Sequence, residues 1–264
     1  MSTVLDKYGK PMRLVGAATT TPLADTKAKP LRVCNCSSRV VVGIAEYMSG
    51  EMKRNPFTVE GKKMTEANAY DIAKEMKEWN ALPWYGKIGG PPKYAGISAG
   101  KKLAAYTIWA ERVGPGQPWD HKPVLSAMLS KQKALNNGWQ RYGSEDYYYD
   151  IWSNMHYGYV GAACGFTLDE LLGGAGLAQA GSDVIRDLRK RRFPTVQSHP
   201  ENGAWANTFD DVPDHISIKV GVDLYTRFKP AVLTASLLLK TIVNVPIPWG
   251  VVGAIAKRKH ECQK

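Results

Sequence analysis

Apolar residues recur along this chain at helical rather than strand spacing. Between Arg39 and Lys53, Val42, Ala45 and Met48 fall three apart with Val41 and Ile44 beside them, which predicts a helix. From Thr65 the repeat sharpens: Ala69, Ile72, Ala73, Met76 and Trp79 share a face, Thr65 is a suitable N-cap, and Pro83 stops the run. Lys87 to Pro92 is a loop by its glycines and prolines, and a further helix is predicted from about Ser98 to Val113. Thr167-Leu-Asp-Glu170 is a capping box with Phe166 and Leu171 as its staple, so a helix starts there, with Gly173, Gly174 and Gly176 expected to interrupt it. Arg186 to Arg192 is a basic run on a helical stretch ended by Pro194. Ile216 to Phe228 fits strand alternation or a helix face, and its length up to Lys229-Pro230 favours the helix. The pattern predicts a mainly α fold, α or α+β with a minor sheet.

The two ends read differently from the middle. Residues 1–36 mix Pro11, Pro30 and scattered lysines without sustained periodicity, an N-terminal arm ahead of a main domain at 37–230. The remainder, 231–264, is an apolar C-terminal segment with a basic tail. Ala231 to Ala256 holds a single charge, Lys240, but Asn244, Pro246 and Pro248 split it into pieces shorter than the ~20 residues that cross a bilayer. Buried helix or core is expected, with peripheral membrane contact through 231–256 as the alternative. The Lys257 to His260 run suits phosphates or anionic headgroups, or is simply solvated. No early apolar run is long enough for a signal-peptide core, so export without a signal peptide would need a carrier.

Composition narrows the partners more than the chemistry. A chain of 264 residues can bury a core without disulfides. Lys and Arg number 35 against 24 acids, a formal charge of +11 that draws RNA, DNA, anionic lipid or pyrophosphate-bearing substrates alike. Cys34, Cys36, Cys164 and Cys262 form no CxxC pair and no zinc spacing with the histidines.

The chemistry concentrates between Asp146 and Gly161, where two carboxylates (Asp146, Asp150), one imidazole (His156), five tyrosines and one tryptophan lie together. The plain alternative is an aromatic core edge in which His156 is a hydrogen-bonded structural histidine. A phosphoester hydrolase needs a base, an acid for the leaving group and positive charge for the transition state. His156 can be base or acid near neutral pH, Asp150 can orient it or hold magnesium, and Tyr149 can donate to an oxyanion. Five residues between Asp150 and His156 do not place them on one helix face, so a turn or strand is expected to join them. The turn-rich Gly114 to Pro123 segment presents Trp119, Asp120, His121 and Lys122 together, as substrate contacts or as turn hydrogen bonds. Gly161 to Gly165 leads into a helix N-terminus, where free amides favour an anion.

Three separated motifs, Gly116-Gln-Pro-Trp-Asp-His-Lys-Pro123, Tyr148-Tyr-Asp-Ile-Trp-Ser-Asn-Met-His-Tyr-Gly-Tyr-Val-Gly161 and Phe166 through Gln179, together resemble the bacterial polymorphic toxin type 44 family. The resemblance runs over roughly residues 40–228. It implies a single compact toxin domain at the tip of a secreted antibacterial effector, carried by a secretion system and paired with a cognate immunity protein; ribonuclease activity has been suggested for the family. A second pattern is similar to colicin M enzymes, which cut the peptidoglycan precursor lipid II between undecaprenol and pyrophosphate. Tyr149, Asp150 and His156 fall on their Asp-x-Tyr-Asp-x5-His-Arg motif, but Tyr147 stands at the first aspartate with Asp146 one place early, and Tyr157 replaces the arginine. This resemblance implies Tyr149, Asp150, His156 and Asp146 as catalytic residues, Asp150 as a magnesium ligand, and Tyr147, Tyr157, Tyr159, Trp119, Asp120, His121 and Lys122 as substrate contacts. The resulting expectation is a lipid II hydrolase acting in the target-cell periplasm. The alternative is a ribonuclease in the target cytoplasm, supported by the net charge and Arg186 to Arg192. A membrane-disrupting protein without catalysis would rest on 231–256 alone.

Overall fold

The computed structural model describes residues 39–131, 136–176, 178, 198–202 and 210–262. They belong to one compact unit, Cys36–Lys264. The N-terminal arm, Cys34 and Cys36, and the Arg186 to Arg192 run with Pro194 lie outside the described residues.

The fold is mainly α, as the periodicity predicts. Helix α1 (Arg39–Arg54) places Val40, Val41, Ile44, Ala45, Met48 and Met52 in the core, the 3.6-residue stripe of a helix buried along one side. The expected helix from Thr65 is two helices. In α2 (Val59–Asn68) Thr58 is the cap, its hydroxyl accepting from Gly61 N at 3.1 Å, and Thr65 lies in the interior, donating to Gly61 O. In α3 (Ile72–Ala81) Asp71 is the cap, accepting from Ala73 N and Lys74 N. An aspartate is the stronger N-cap and takes two free amides, so the chain breaks there instead. Helix α4 (Tyr94–Val113) follows the glycine-proline loop, and α5 (Lys122–Lys131) follows the turn-rich segment.

The aromatic stretch divides into a strand and a helix. Strand β1 (Trp139–Tyr142) pairs antiparallel with β2 (Glu145–Tyr148), and α6 (Asp150–Ala163) begins two residues later. The capping box forms as read: Thr167 N donates to Glu170 Oε2 at 2.8 Å and Glu170 N to Thr167 Oγ1 at 3.2 Å. Helix α7 (168–176) runs on through Gly173, Gly174 and Gly176, which do not interrupt it. Its own cap takes two of the amides at this end, those of Thr167 and Glu170. Helix α8 (Val212–Arg227) covers the ambiguous apolar run, which is helical as the length argued.

Helices α6 and α8 pack to backbone contact. A Cβ on Gly158 would fall 2.1 Å from Ile218 O, and one on Gly221 would fall 2.2 Å from Met155 O. Only glycine lets the two backbones touch. Ile151 shares a small cavity with Pro213 and Asp214, while Tyr159 stacks on Tyr225 and donates to Phe228 O at 2.7 Å, so both helices start at the same end.

The segment 231–264 folds into the same unit. Helix α9 (Ala235–Asn244) buries Leu238, Leu239 and Ile242. After the hairpin of β3 (Gly250–Val251) and β4 (Ala254–Ile255), β5 (Lys257–Lys259) joins the edge of β2 to give the order β1-β2-β5. The basic run is therefore structural in part. Lys257 is 1% exposed; its Nζ donates to Val243 O at 2.7 Å and Val245 O at 2.6 Å, closing the carbonyl end of α9, and pairs with Glu145 at 2.9 Å.

Candidate functional site

Three helix N-termini meet at one place. Lys122 opens α5, Asp150 opens α6, and Asp211 and Asp214 open α8. Lys122 Nζ donates to Asp150 Oδ2 at 3.0 Å, which ties the turn-rich segment to the aromatic one. Burial alone would lower the lysine pKa, but the carboxylates of Asp150 and Asp214 outweigh it and raise it to about 12. Lysine is thus the fixed cation of this corner.

Around it lie carboxyl groups of a different kind. Asp210 is 4% exposed; desolvation, then the charge of Asp211, raises its pKa to about 7. Desolvation and the charge of Asp150 push Asp214 well above the carboxylate range. Both can hold a proton near neutral pH. Buried Asp150 Oδ1, Asp210 Oδ2 and Asn154 Nδ2 have no hydrogen-bond partner within the described residues, an arrangement costly in a core and useful in a site.

Two cavities open onto this group. One, of about 240 Å³, is lined by Trp119, Asp120, Lys122, His156, Asp210 and Asp214 among others. A second, of about 170 Å³, touches Tyr148, Asp150 and Asp214, so Asp214 borders both. Behind His156, Tyr47 Oη and His121 Nδ1 are hydrogen-bonded at 2.9 Å, His121 Nε2 lies 3.2 Å from His156 Nε2, and Asn55 Nδ2 lies 2.9 Å from the same nitrogen. Desolvation holds both imidazoles below the ordinary histidine pKa, and the neighbouring His121 lowers His156 further, so both are neutral at pH 7.

Residues 108–227 match the family model for bacterial toxin 44. The chain is similar to that toxin family over this stretch, and Trp119, Asp120, His121, Lys122, Asp150, His156, Asp210 and Asp214 all fall within it. No curated protein and no solved structure matches the chain.

In this stretch the residues singled out from sequence separate into two groups. Trp119, Asp120, Lys122, Asp150, His156 and Tyr157 line the cavities, and His121 is buried behind them against His156. Tyr157 also rests on Trp109 and donates to Leu171 O. Asp120 keeps its turn, accepting from Gly116 N and Lys122 N. Tyr149 precedes α6 with its ring against Tyr148. Asp146, Tyr147 and Tyr159 are held elsewhere. Asp146 pairs with Arg258 at 3.3 Å and His260 at 2.6 Å across the sheet. Tyr147 donates to Glu145, and Tyr159 ties α6 to the end of α8. Asp150 and His156 share one uninterrupted helix on different faces; no turn or strand joins them, and Lys122 and Asp214 link the two positions instead.

The expected magnesium ligand, Asp150, lies in this corner as the partner of Lys122. Among the described residues no three His, Cys, Asp or Glu side chains are placed to hold a metal ion, and Asp150 Oδ2 already carries Lys122. Sequence reasoning passed over Asp210, Asp214, Asn55 and Tyr47. Three aspartates within Asp210-Asp-Val-Pro-Asp214 were the available signal for the first two. Asn55 lies 101 residues from its partner and left none.

Proposed function

We propose that this toxin domain is a hydrolase that cleaves a phosphoester by proton transfer between carboxyl groups. The observation that carries the reading is the contrast within one corner: Asp150, ion-paired with Lys122, beside Asp210 and Asp214, whose carboxyl pKa values desolvation raises. Environments that push neighbouring carboxyls apart in this way assign an acid and a base. Asp150 Oδ1, buried and unpartnered, takes the proton of the attacking water. Asp214 gives its proton to the leaving oxygen as the ester bond to phosphorus breaks. Lys122 and the O–H of Asp210 meet the phosphate oxygens, since a neutral carboxyl donates to an anion that a carboxylate would repel. His156, held by His121 and Asn55, sets the floor against which Trp119 and the substrate rest.

The substrate we infer is a lipid-linked pyrophosphate, with lipid II the concrete case. The Tyr149-Asp150-x5-His156 pattern supports it, and so does a groove of about 680 Å³ along the other side of α8, lined by Val212, Ile216, Val220, Leu224 and Phe228. It starts at Val212 in the first turn of α8, and Lys219, Asp223, Arg227 and Lys240 share its walls with the apolar side chains. The charge of +11 favours the second reading, a ribonuclease.

Purified protein is expected to release a water-soluble pyrophosphoryl sugar-peptide from lipid II and to leave total RNA intact. Asp214→Asn, folded by circular dichroism, should lose about 100-fold or more of that rate. RNA fragmentation abolished by Asp214→Asn would keep the site and reverse the substrate. Full activity in folded Asp214→Asn and Asp150→Asn would overturn the site itself.

A further inference from the structure

Between residues 65 and 104 no side chain is buried, although the stretch is helical over most of its length. Helices α3 and α4 meet there through a short turn that carries Leu82, Trp84, Tyr85 and Ile88. These are 43%, 78%, 65% and 77% exposed. Four large apolar side chains in seven residues, turned outward together, are far from the scattered exposure of an ordinary surface. Their presentation is fixed. Pro83, Pro91 and Pro92 stiffen the segment, Gly89 and Gly90 take φ of 110° and 77°, and Gly90 N donates to Lys87 O at 3.1 Å. Trp84 and Tyr85 stand edge to face at 5.9 Å.

Charge on the turn has one sign. From Leu82 to Lys102 there is no carboxylate, and Lys87, Lys93, Lys101 and Lys102 flank the apolar tip; only Lys102 is ion-paired, to Glu170. Protein interfaces favour arginine and are depleted in lysine at their centres. Tryptophan and tyrosine beside lysine is instead the composition of a bilayer interface, where rings sit at headgroup level and lysines snorkel to phosphates.

We propose that the turn at residues 82–93 docks the domain on an anionic lipid bilayer, with Trp84, Tyr85 and Ile88 entering the interface and Lys87 and Lys93 on the headgroups. This is a peripheral contact; no described helix is long and apolar enough to cross a membrane. It differs from a contact through 231–256, where Leu238, Leu239 and Ile242 are spent on the core. It does not rest on the chemistry of the cavity, and would serve a lipid-linked substrate by holding the domain where that substrate lies.

The test is co-sedimentation of the full chain with vesicles of phosphatidylethanolamine and phosphatidylglycerol at near-physiological salt, with phosphatidylcholine vesicles alongside. Wild type is expected to bind the anionic vesicles. The triple variant Trp84→Ser, Tyr85→Ser, Ile88→Ser keeps the charge of +11 and is expected to need at least about tenfold more lipid. Lys87→Glu with Lys93→Glu should weaken binding similarly; Lys87 is half-buried, its Nζ donating to Asn80 O at 2.8 Å, so circular dichroism checks the fold of this variant, whereas the triple variant replaces only exposed side chains. Asp214→Asn should bind as wild type, which separates this result from the catalytic reading. Unchanged binding by the triple variant would reduce the effect to general charge and overturn the proposal. Absence of vesicle binding, with the triple variant instead losing affinity for a protein inhibitor, would assign the turn to a protein partner and overturn it equally.

Discussion

A single proton on Asp210 links stability and catalysis in opposite senses. Its folded pKa of about 7 lies above the ordinary 3.8, so the folded state keeps a proton that the unfolded chain gives up. The stability it contributes is fully present below about pH 4 and is lost as the pH rises to about 7. Asp214 shifts in the same direction. His121 and His156 act on the other limb: held neutral in the fold, they contribute stability above about pH 6.5 that is lost on acidification. Asp210→Asn should remove only the Asp210 share of the first limb, leaving that of Asp214. We expect its melting temperature to fall less than that of wild type between pH 5 and pH 8, a gain on the order of 2 kcal/mol at pH 8, with turnover down about 100-fold. Parallel thermal melts that keep the wild-type difference between the two pH values would show that Asp210 does not carry the shift. Lys122, Asp150, His121 and His156 were legible in the sequence because their types and clustering already suggest chemistry. Asp210 and Asp214 were not, since aspartates before a helix read as caps; what makes them acids is burial by α6 and α5, a property of the fold and not of their neighbours in the chain.

At the level of elements, the site exists because α6 and α8 approach to backbone contact. Gly158 and Gly221 are the points of approach, and a methyl group at either would stand well inside the van der Waals contact distance of a carbonyl oxygen. Backbone cannot swing aside as a side chain can, so Gly158→Ala and Gly221→Ala should each cost about 3 kcal/mol and separate Asp150 from Asp214. Gly50 in α1 has nothing within 4 Å of its absent Cβ, so Gly50→Ala should be neutral or stabilise by about 1 kcal/mol. Urea midpoints at constant slope would measure all three. Equal midpoints for Gly158→Ala and Gly50→Ala would contradict the packing. The helices themselves were readable: the stripes of α1 and α8 and the capping box at Thr167 are local signals. The break at Asp71 was misplaced because helical spacing continues across it, and the three-stranded sheet was invisible because β5 pairs with β2 from more than a hundred residues away.

For the whole molecule, charge and burial together constrain any inhibitor. The family leads us to expect an immunity protein, and occluding the site would have it cover or adjoin the stretch from Tyr147 to Tyr159. Most of that stretch is out of reach, with Tyr147, Ile151, Trp152, Met155, His156 and Tyr159 at 1% exposure or less. The reachable part of the site is its rim, where the Lys122 side chain is 44% exposed beside Pro115, Asp120 and Asp211. An inhibitor that protects the producing cell should therefore plug the cavity mouth and place a carboxylate on Lys122, not grip the aromatic helix. With +11 on the toxin, encounter should be steered by acidic side chains, so the association rate should fall about tenfold or more between low and high salt while dissociation changes little. Lys122→Met should slow association only slightly, because one charge in many is lost, but should speed dissociation by about 30-fold, because the partner carboxylate is left desolvated and unpaired. Stopped-flow association at several salt concentrations, with dissociation by competition, resolves the two effects. A complex whose lifetime is indifferent to Lys122→Met would move the inhibitor off the cavity mouth and point to protection by a contact elsewhere on the domain.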